Sequence, residues 1–383
     1  MQRHLLIYGF SIFSMFFGSG NLVFPLQIGV EVGNHWFIGF IGLFLTGIIL
    51  PFLGLFVIKL HKGNYNDFFA EAGTLSRLFL PLFTLSLLGS FGVVPRCITV
   101  AYGGIEYIFP GLSLIIFSFL FCTVCFVVCL NDRYMISILG KWLTPLLLLS
   151  LTFLIILGVI NAPEITTENP TLRLKETFLT GFLQGYETMD LFAAFFFSSL
   201  VFKQIQSFMG ESVNHKDIIK FALKPSIIGA ALLSVVYLGF VYLGSKYGHL
   251  LQNTTAELFF PTIISHLLGS KAALIIGVIV ILSCLTTAVA LNNIYAHYIC
   301  SSLKVKEKSF PVILLIVTII SFAVSLVDFK GITGFLAPLL EISYPSLIAL
   351  TFLSIFLKEH RLLKAILFYG IMIVVLLYKF LYS

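Results

Sequence analysis

Apolar runs of about 20 residues recur from one end of this 383-residue chain to the other. Each is long enough, as a helix, to cross the ~30 Å hydrocarbon core of a bilayer. Lipid offers the backbone no hydrogen bonds, so only helices and closed barrels can span it, and continuous apolar runs of this length are helices. Composition agrees: 59% of residues are hydrophobic and 10% charged, where a soluble domain carries roughly a quarter charged. The chain therefore reads as an all-α polytopic membrane protein whose main partner is the lipid bilayer. A secreted disulfide scaffold, a nucleic-acid binder and a cytosolic enzyme are excluded. The net charge of +6 reads as lysine-rich loops on one side of the membrane rather than as a site for nucleic acid.

Hydropathy predicts about 11 transmembrane helices, at roughly 5–30, 36–60, 78–101, 112–130, 136–160, 177–202, 220–245, 270–300, 310–327, 331–357 and 362–382. The segment Thr255–Leu268 is too short to span and is expected to lie across the outer face. The first apolar run continues through Gly18-Ser19-Gly20-Asn21 and past Pro25, too long for a signal-peptide core, so it reads as a retained span. With the N-terminus cytoplasmic, the inner loops hold about 16 lysines and arginines and the outer loops about six, which favours that orientation. Cys122, Cys125 and Cys129 share a helix face. They read as small packing residues in lipid rather than as a metal or redox site.

Two of the eleven spans are interrupted at mid-depth. In span one, Phe16-Phe17-Gly18-Ser19-Gly20-Asn21 precedes Pro25; in span six, Gly181-Phe182-Leu183-Gln184-Gly185-Tyr186-Glu187-Thr188-Met189-Asp190 places a glutamine, a glutamate, a threonine and an aspartate around a glycine. Unwound backbone survives at membrane depth only where it is buried in protein or lines a cavity. Interrupted spans in corresponding positions point to an inverted-repeat transporter. Spans one to five (1–161) and six to ten (162–357) would form the two repeats, each of five helices, and 358–383 would add a helix outside the symmetry. Four charges also fall within spans: Arg96, Glu187, Asp190 and Glu341. Each costs at least about 2.5–3.5 kcal/mol at the bilayer centre, so each is expected to be paired or to face a wet cavity. Arg96 has Glu187, Asp190 and Glu341 as candidate partners. The carboxylates are candidates to sense an ammonium, to carry a coupling proton, or simply to form a buried ion pair.

Several motifs resemble the branched-chain amino acid–cation symporter family, within the amino acid–polyamine–organocation superfamily. They are Gly9-Phe10 leading to the FFGSGNLVFP run, Val94-Pro95-Arg96, Gly185-Tyr186 with Thr188-Met189-Asp190, Cys284-Leu285-Thr286 with Thr287-Ala288-Val289, and Tyr344-Pro345 with Ile348-Ala349-Leu350. The resemblance runs from about Tyr8 to Leu350 and implies the leucine-transporter-like 5+5 fold with broken helices 1 and 6. It also implies import of leucine, isoleucine and valine with Na+ or H+ across a bacterial inner membrane. Members usually carry twelve spans, so the expected eleven depart from the pattern, as does Glu187, where an uncharged residue is expected.

The resemblance assigns chemistry to particular residues. A zwitterionic substrate needs acceptors for its ammonium, donors for its carboxylate and an apolar slot. The carboxylate is expected at the helix N-terminus formed by Gly20-Asn21, with Ser19 helping. The ammonium is expected at carbonyls of Phe16–Gly18 and Gly185–Tyr186, with Glu187 and Thr188 nearby. Phe16, Phe17, Val93 and Tyr186 are candidates for the aliphatic pocket. Ser283, Thr286 and Thr287 share a face of span eight. With carbonyls near Ser14 and Phe17 they form a candidate Na+ site, and Asn21 is a candidate ligand for a second ion; the bland alternative is that these hydroxyls bond their own helix. No cofactor and no partner protein are implied. A same-fold transporter of another metabolite, a channel and an intramembrane enzyme are the alternatives. The sequence holds no HExxH pair, GxSxG elbow or phosphate-binding loop to favour an enzyme or an ATP-driven pump.

Overall fold

The computed structural model describes residues 2–106, 108–130, 144–164, 173–210, 213–357 and 360–382. The start of the fifth expected span, 136–143, lies outside them, as do Arg133, Lys141 and Lys358 of the charge tally. No strand occurs among the described residues.

The first interval is two helices, α1 (Gln2–Phe16) and α2 (Ser19–Val32). The second is α3 (Trp36–Leu43), a π-helical turn (Phe44–Ile49) and α4 (Leu50–Leu60). A short α5 (Tyr65–Phe69) leads to α6 (Thr74–Leu88) and α7 (Val93–Glu106), followed by α8 (Leu114–Cys129) and α9 (Thr144–Ile160). The sixth interval is again divided, into α10 (Leu174–Glu187) and α11 (Asp190–Met209). Then come α12 (His215–Leu251), α13 (Phe259–Leu268), α14 (Ser270–Ser302), α15 (Phe310–Ser325), α16 (Phe329–Phe356) and α17 (Arg361–Tyr382).

Among the described residues, seven helical segments are long and apolar enough to cross a bilayer, by length and composition. That is fewer than the eleven expected intervals, for physical reasons. The break in the first interval leaves α1 short, and α2 runs on with the second interval as one segment, Ser19–Leu60, whereas the sixth is still represented by Asp190–Met209. In addition, α8 and α15 have 16 residues each, about 24 Å of helix against a ~30 Å core. The segment expected to be too short to span is α13, of 10 residues. Its face of Phe259, Phe260, Ile263 and Ile264 is buried, so it is packed into the protein.

A further interruption was not expected. Between α6 and α7, at Gly89–Gly92, the Phe91 amide donates to Ser86 O at 3.1 Å and the Val94 amide to Gly89 O at 3.3 Å. Both bonds reach back five residues, the widened turn of a π-bulge. Arg96, one turn into α7, is buried in the protein interior.

The packing is ordered. α2 lies along α12, α3 along α10, α4 along α11, α7 along α14, and α8 against α15. Small residues allow the closest approaches. A Cβ on Gly181 would strike Gly39 O, and one on Gly185 would strike Thr46 Oγ1. Gly181-x-x-x-Gly185 therefore seats α10 on span two. At the end of the chain, α17 packs on α16. It is pinned by Lys364 Nζ to Glu71 Oε2 at 2.9 Å and by a Tyr369–Ser76 hydroxyl pair at 2.6 Å. Its outer face exposes Leu362, Ile366, Val374 and Phe380, as a lipid-facing helix does.

Candidate transport site

The two expected breaks meet in the interior. At the first, Gly18 leaves the helix with φ −118° and caps α2. Asn21 reaches back, its Oδ1 accepting from the Gly18 amide at 2.9 Å, one half of a capping box. The amides of Ser19, Gly20 and Asn21 open α2 and have no partner four residues earlier within it. At the second break Met189 adopts a left-handed conformation, φ 59°, which costs a non-glycine residue roughly 1–2 kcal/mol. Thr188 stabilises the turn: its Oγ1 donates to Gly185 O at 2.9 Å, and the Asp190 amide donates weakly back to it at 3.5 Å.

Asn21 ties the breaks together. Its Nδ2 donates to Asp190 Oδ2 at 2.8 Å and contacts the Tyr237 hydroxyl. Tyr237, on α12, donates to the same carboxylate oxygen at 2.9 Å. All three side chains are buried. Beside them, Arg96 Nη1 donates to Glu187 O at 2.7 Å and lies 3.8 Å from Glu187 Oε2. Its guanidinium stands 5.4 Å from the Phe24 ring centroid. The Tyr186 ring stacks on Tyr344 at 4.5 Å, and Tyr344 on Phe192 at 4.8 Å.

A second group of oxygens lies on the other side of the first break. Ser283 Oγ donates to Phe17 O at 3.1 Å, and Thr287 Oγ1 approaches the same carbonyl at 3.5 Å. Gly18 has no side chain to hold Thr287 away: a Cβ there would fall 2.9 Å from Thr287 Cγ2 and 3.1 Å from its Oγ1. Thr286 Oγ1 bonds its own helix, at Ser283 O. Ser14, Ser283 and Thr286 line a small pocket with Thr144. Among the described residues, no cluster of His, Cys, Asp and Glu could hold a metal ion, so Cys122, Cys125 and Cys129 are not grouped with such ligands.

The family described as branched-chain amino acid transport protein matches residues 1–381. The chain belongs to that family. The branched-chain amino acid permease BrnQ of Corynebacterium glutamicum is 29% identical over 92% of this chain and 81% of its own length. The permease BraB of Bacillus subtilis is 29% identical over 94% and 82%. Among solved structures, the nucleobase-cation-symport-1 family transporter Mhp1, closed with bromovinylhydantoin bound, overlays with a TM-score of 0.69 at 14% identity, over 93% of this chain and 79% of that one. The family is one of multi-pass membrane transporters, not of enzymes.

Several expected site residues have partners within the protein. Phe16 packs on Phe52 and Phe197, and Phe17 on Phe13 and Phe240, so both rings are helix-packing groups. Only the Phe17 carbonyl faces the hydroxyls of α14. Gly185 seats α10 on Thr46, and its carbonyl is taken by Thr188. Asn21 Oδ1 is held by the Gly18 amide. Ser19 Oγ faces Cys97 Sγ at 3.5 Å, and Gly20 packs against Thr188, whose Cα is 3.3 Å from where a Cβ would sit. Val93 is buried at the start of α7. Glu341 lies apart from Arg96: it is half-exposed and pairs with Lys379 of α17, because it projects from the face of α16 that α17 covers. Tyr237 was not singled out in the sequence, and Tyr344 only as part of the Tyr344-Pro345 motif. Tyr237 is a phenol inside an apolar span, but 15 tyrosines share the chain and nothing local sets it apart.

Proposed function

We propose that the chain is a secondary active symporter that imports leucine, isoleucine and valine with Na+ by alternating access. The observation that carries the coupling is the convergence of the Ser283 and Thr287 hydroxyls on Phe17 O at the first break. Hard cations take oxygen ligands. A carbonyl freed by a broken helix, with two hydroxyls from a facing one, is such a set, and Ser14 and Thr286 line the adjoining pocket. The relatives' names supply the substrate class.

The packing supports an eleven-span, 5+5 reading with repeats at 1–161 and 162–357 and a further helix at 358–383. Exchanging the repeats turns span one into six and two into seven. The α2–α12 contact, one on seven, then becomes six on two, which is the α3–α10 and α4–α11 contact. The α7–α14 and α8–α15 contacts map onto themselves. We place the protein in a bacterial inner membrane, on its likeness to bacterial permeases, with its N-terminus cytoplasmic, on the lysine and arginine bias. One Na+ moving down a tenfold gradient and a 100 mV potential releases about 3.7 kcal/mol, enough for roughly 500-fold accumulation of a neutral amino acid.

Leucine uptake into proteoliposomes under imposed sodium or proton gradients tests the proposal. Accumulation driven by sodium and blocked by valine and isoleucine is the expected result. Uptake driven by protons alone would favour a second reading, in which buried Asp190 carries the coupling proton. Its position between Asn21 and Tyr237 at the second break gives that reading its support.

A further inference from the structure

Arg96 has no exposed surface and is the largest fully buried side chain. Only Nη1 is engaged, on Glu187 O. Nε and Nη2 have no hydrogen-bond partner, and neither does Glu187 Oε2. These two nitrogens form one edge of the guanidinium: the Nε–H and one N–H of Nη2 point the same way, spaced to meet both oxygens of a carboxylate. Buried donors left unmet carry a large desolvation cost, so an edge held open this way is a site built for a planar anion. Glu187 narrows the choice. Its free carboxylate oxygen stands on the Nη1 side, where it would repel a simple anion and attract a cation. A ligand that meets both groups carries a carboxylate and, close by, an ammonium.

We propose that Arg96 seats the substrate carboxylate through its Nε–Nη2 edge, with Glu187 Oε2 receiving the ammonium. This deepens, and rests on, the reading of the substrate as an α-amino acid. It moves the carboxylate from the α2 amides to α7, which begins just after the π-bulge at Gly89–Gly92. Arg96 as a mere brace for the Glu187 carbonyl is the competing role, and the two differ in selectivity. In purified full-length protein, binding of labelled leucine is competed with leucinamide, which lacks the carboxylate, and with 4-methylpentanoate, which lacks the amine. Wild type is expected to prefer leucine to leucinamide by about 100-fold, the worth of two charge-assisted hydrogen bonds. In Arg96→Gln that ratio falls to near one. In Arg96→Lys, a point charge without the fork, it falls to about tenfold. Glu187→Gln leaves the backbone carbonyl on Arg96 and is expected to bind 4-methylpentanoate at least tenfold more tightly than wild type, a gain that damaged folding cannot produce. An unchanged leucine-to-leucinamide ratio in folded Arg96 variants, or no gain for 4-methylpentanoate in Glu187→Gln, overturns the assignment. If wild type binds leucine throughout, the substrate class stands and only the Arg96 role falls; if wild type binds none of leucine, isoleucine and valine, the substrate class itself fails.

Discussion

The two breaks interrupt corresponding helices by different means. Between Phe16 and Pro25 the first has no ionisable residue; it opens on glycines and presents a carbonyl, Phe17 O, to the hydroxyls of Ser283 and Thr287. The second is built from Glu187, Thr188, Met189 and Asp190, stores strain in the left-handed Met189, and needs Arg96, Asn21 and Tyr237 to hold its charges. Neutral unwound backbone suits a cation, which brings its own charge and needs only oxygens. Fixed charge suits a zwitterion, whose two ends need opposite signs. On the proposed reading, ion and substrate work divide between the breaks, and the Asn21–Asp190 bond is the link through which one would report on the other.

The largest effect is expected from cutting that tie. Asp190→Ala removes the acceptor shared by Asn21 Nδ2 and the Tyr237 hydroxyl, leaving the buried Tyr237 O–H and one Asn21 N–H unmet. A loss of about 3 kcal/mol or more is expected, read as a lower thermal midpoint with leucine uptake near background. Asp190→Asn retains hydrogen-bonding capacity. Sodium-driven uptake surviving in it would end the proton-carrier reading, and full activity in Asp190→Ala would end the tie itself.

A smaller and more local effect is expected at the first break. Gly18→Ala brings a methyl against Thr287 and should displace its hydroxyl from Phe17 O. The sodium concentration for half-maximal uptake should rise about tenfold, one charge-assisted contact's worth, while leucine affinity at saturating sodium stays within about twofold. Sodium dependence that does not move would detach the ion from this break. At the second break, Gly185→Ala drives a methyl into Thr46, an overpacking cost of about 1–3 kcal/mol. Thr46→Ala in the same chain should recover part of that stability. Leucine affinity in the folded double variant should match wild type if Gly185 is a packing residue.

What could be read from the sequence follows the same division. Polar and glycine residues at 18–21 and 185–190 stand out because lipid tolerates them poorly, so both breaks were legible, as was the intramembrane Arg96. The Gly89–Gly92 bulge was not: its glycines sit among apolar residues, and an i−5 bond leaves no mark in hydropathy. Gly185 stood out as well, but a close helix approach, which the structure shows against Thr46, and a substrate approach both call for glycine, so the sequence does not separate them. The Glu341–Lys379 pair depends on where α17 docks, which no local pattern states. The partner of Asp190 was hidden for a related reason: Tyr237 lies 47 residues away on a helix whose register against α11 only packing sets.

That hidden partner gives the finest test of the comparison. Tyr237→Phe keeps the ring that fills the α12 interior and removes only the hydroxyl, which donates to Asp190 and accepts from Asn21 Nδ2. Asn21 still bonds the same carboxylate, so the tie between the breaks is thinned rather than cut. The expected cost is about 1 kcal/mol, a shift of a few degrees or less in a protein of this size. Because Asn21 would be freer to leave Asp190, the sodium dependence set at the first break should loosen from leucine binding at the second. The measurable form is a smaller enhancement of leucine affinity by sodium, with affinity for sodium alone unchanged. An intact enhancement in Tyr237→Phe would mean that Asn21 alone carries the coupling between the two breaks.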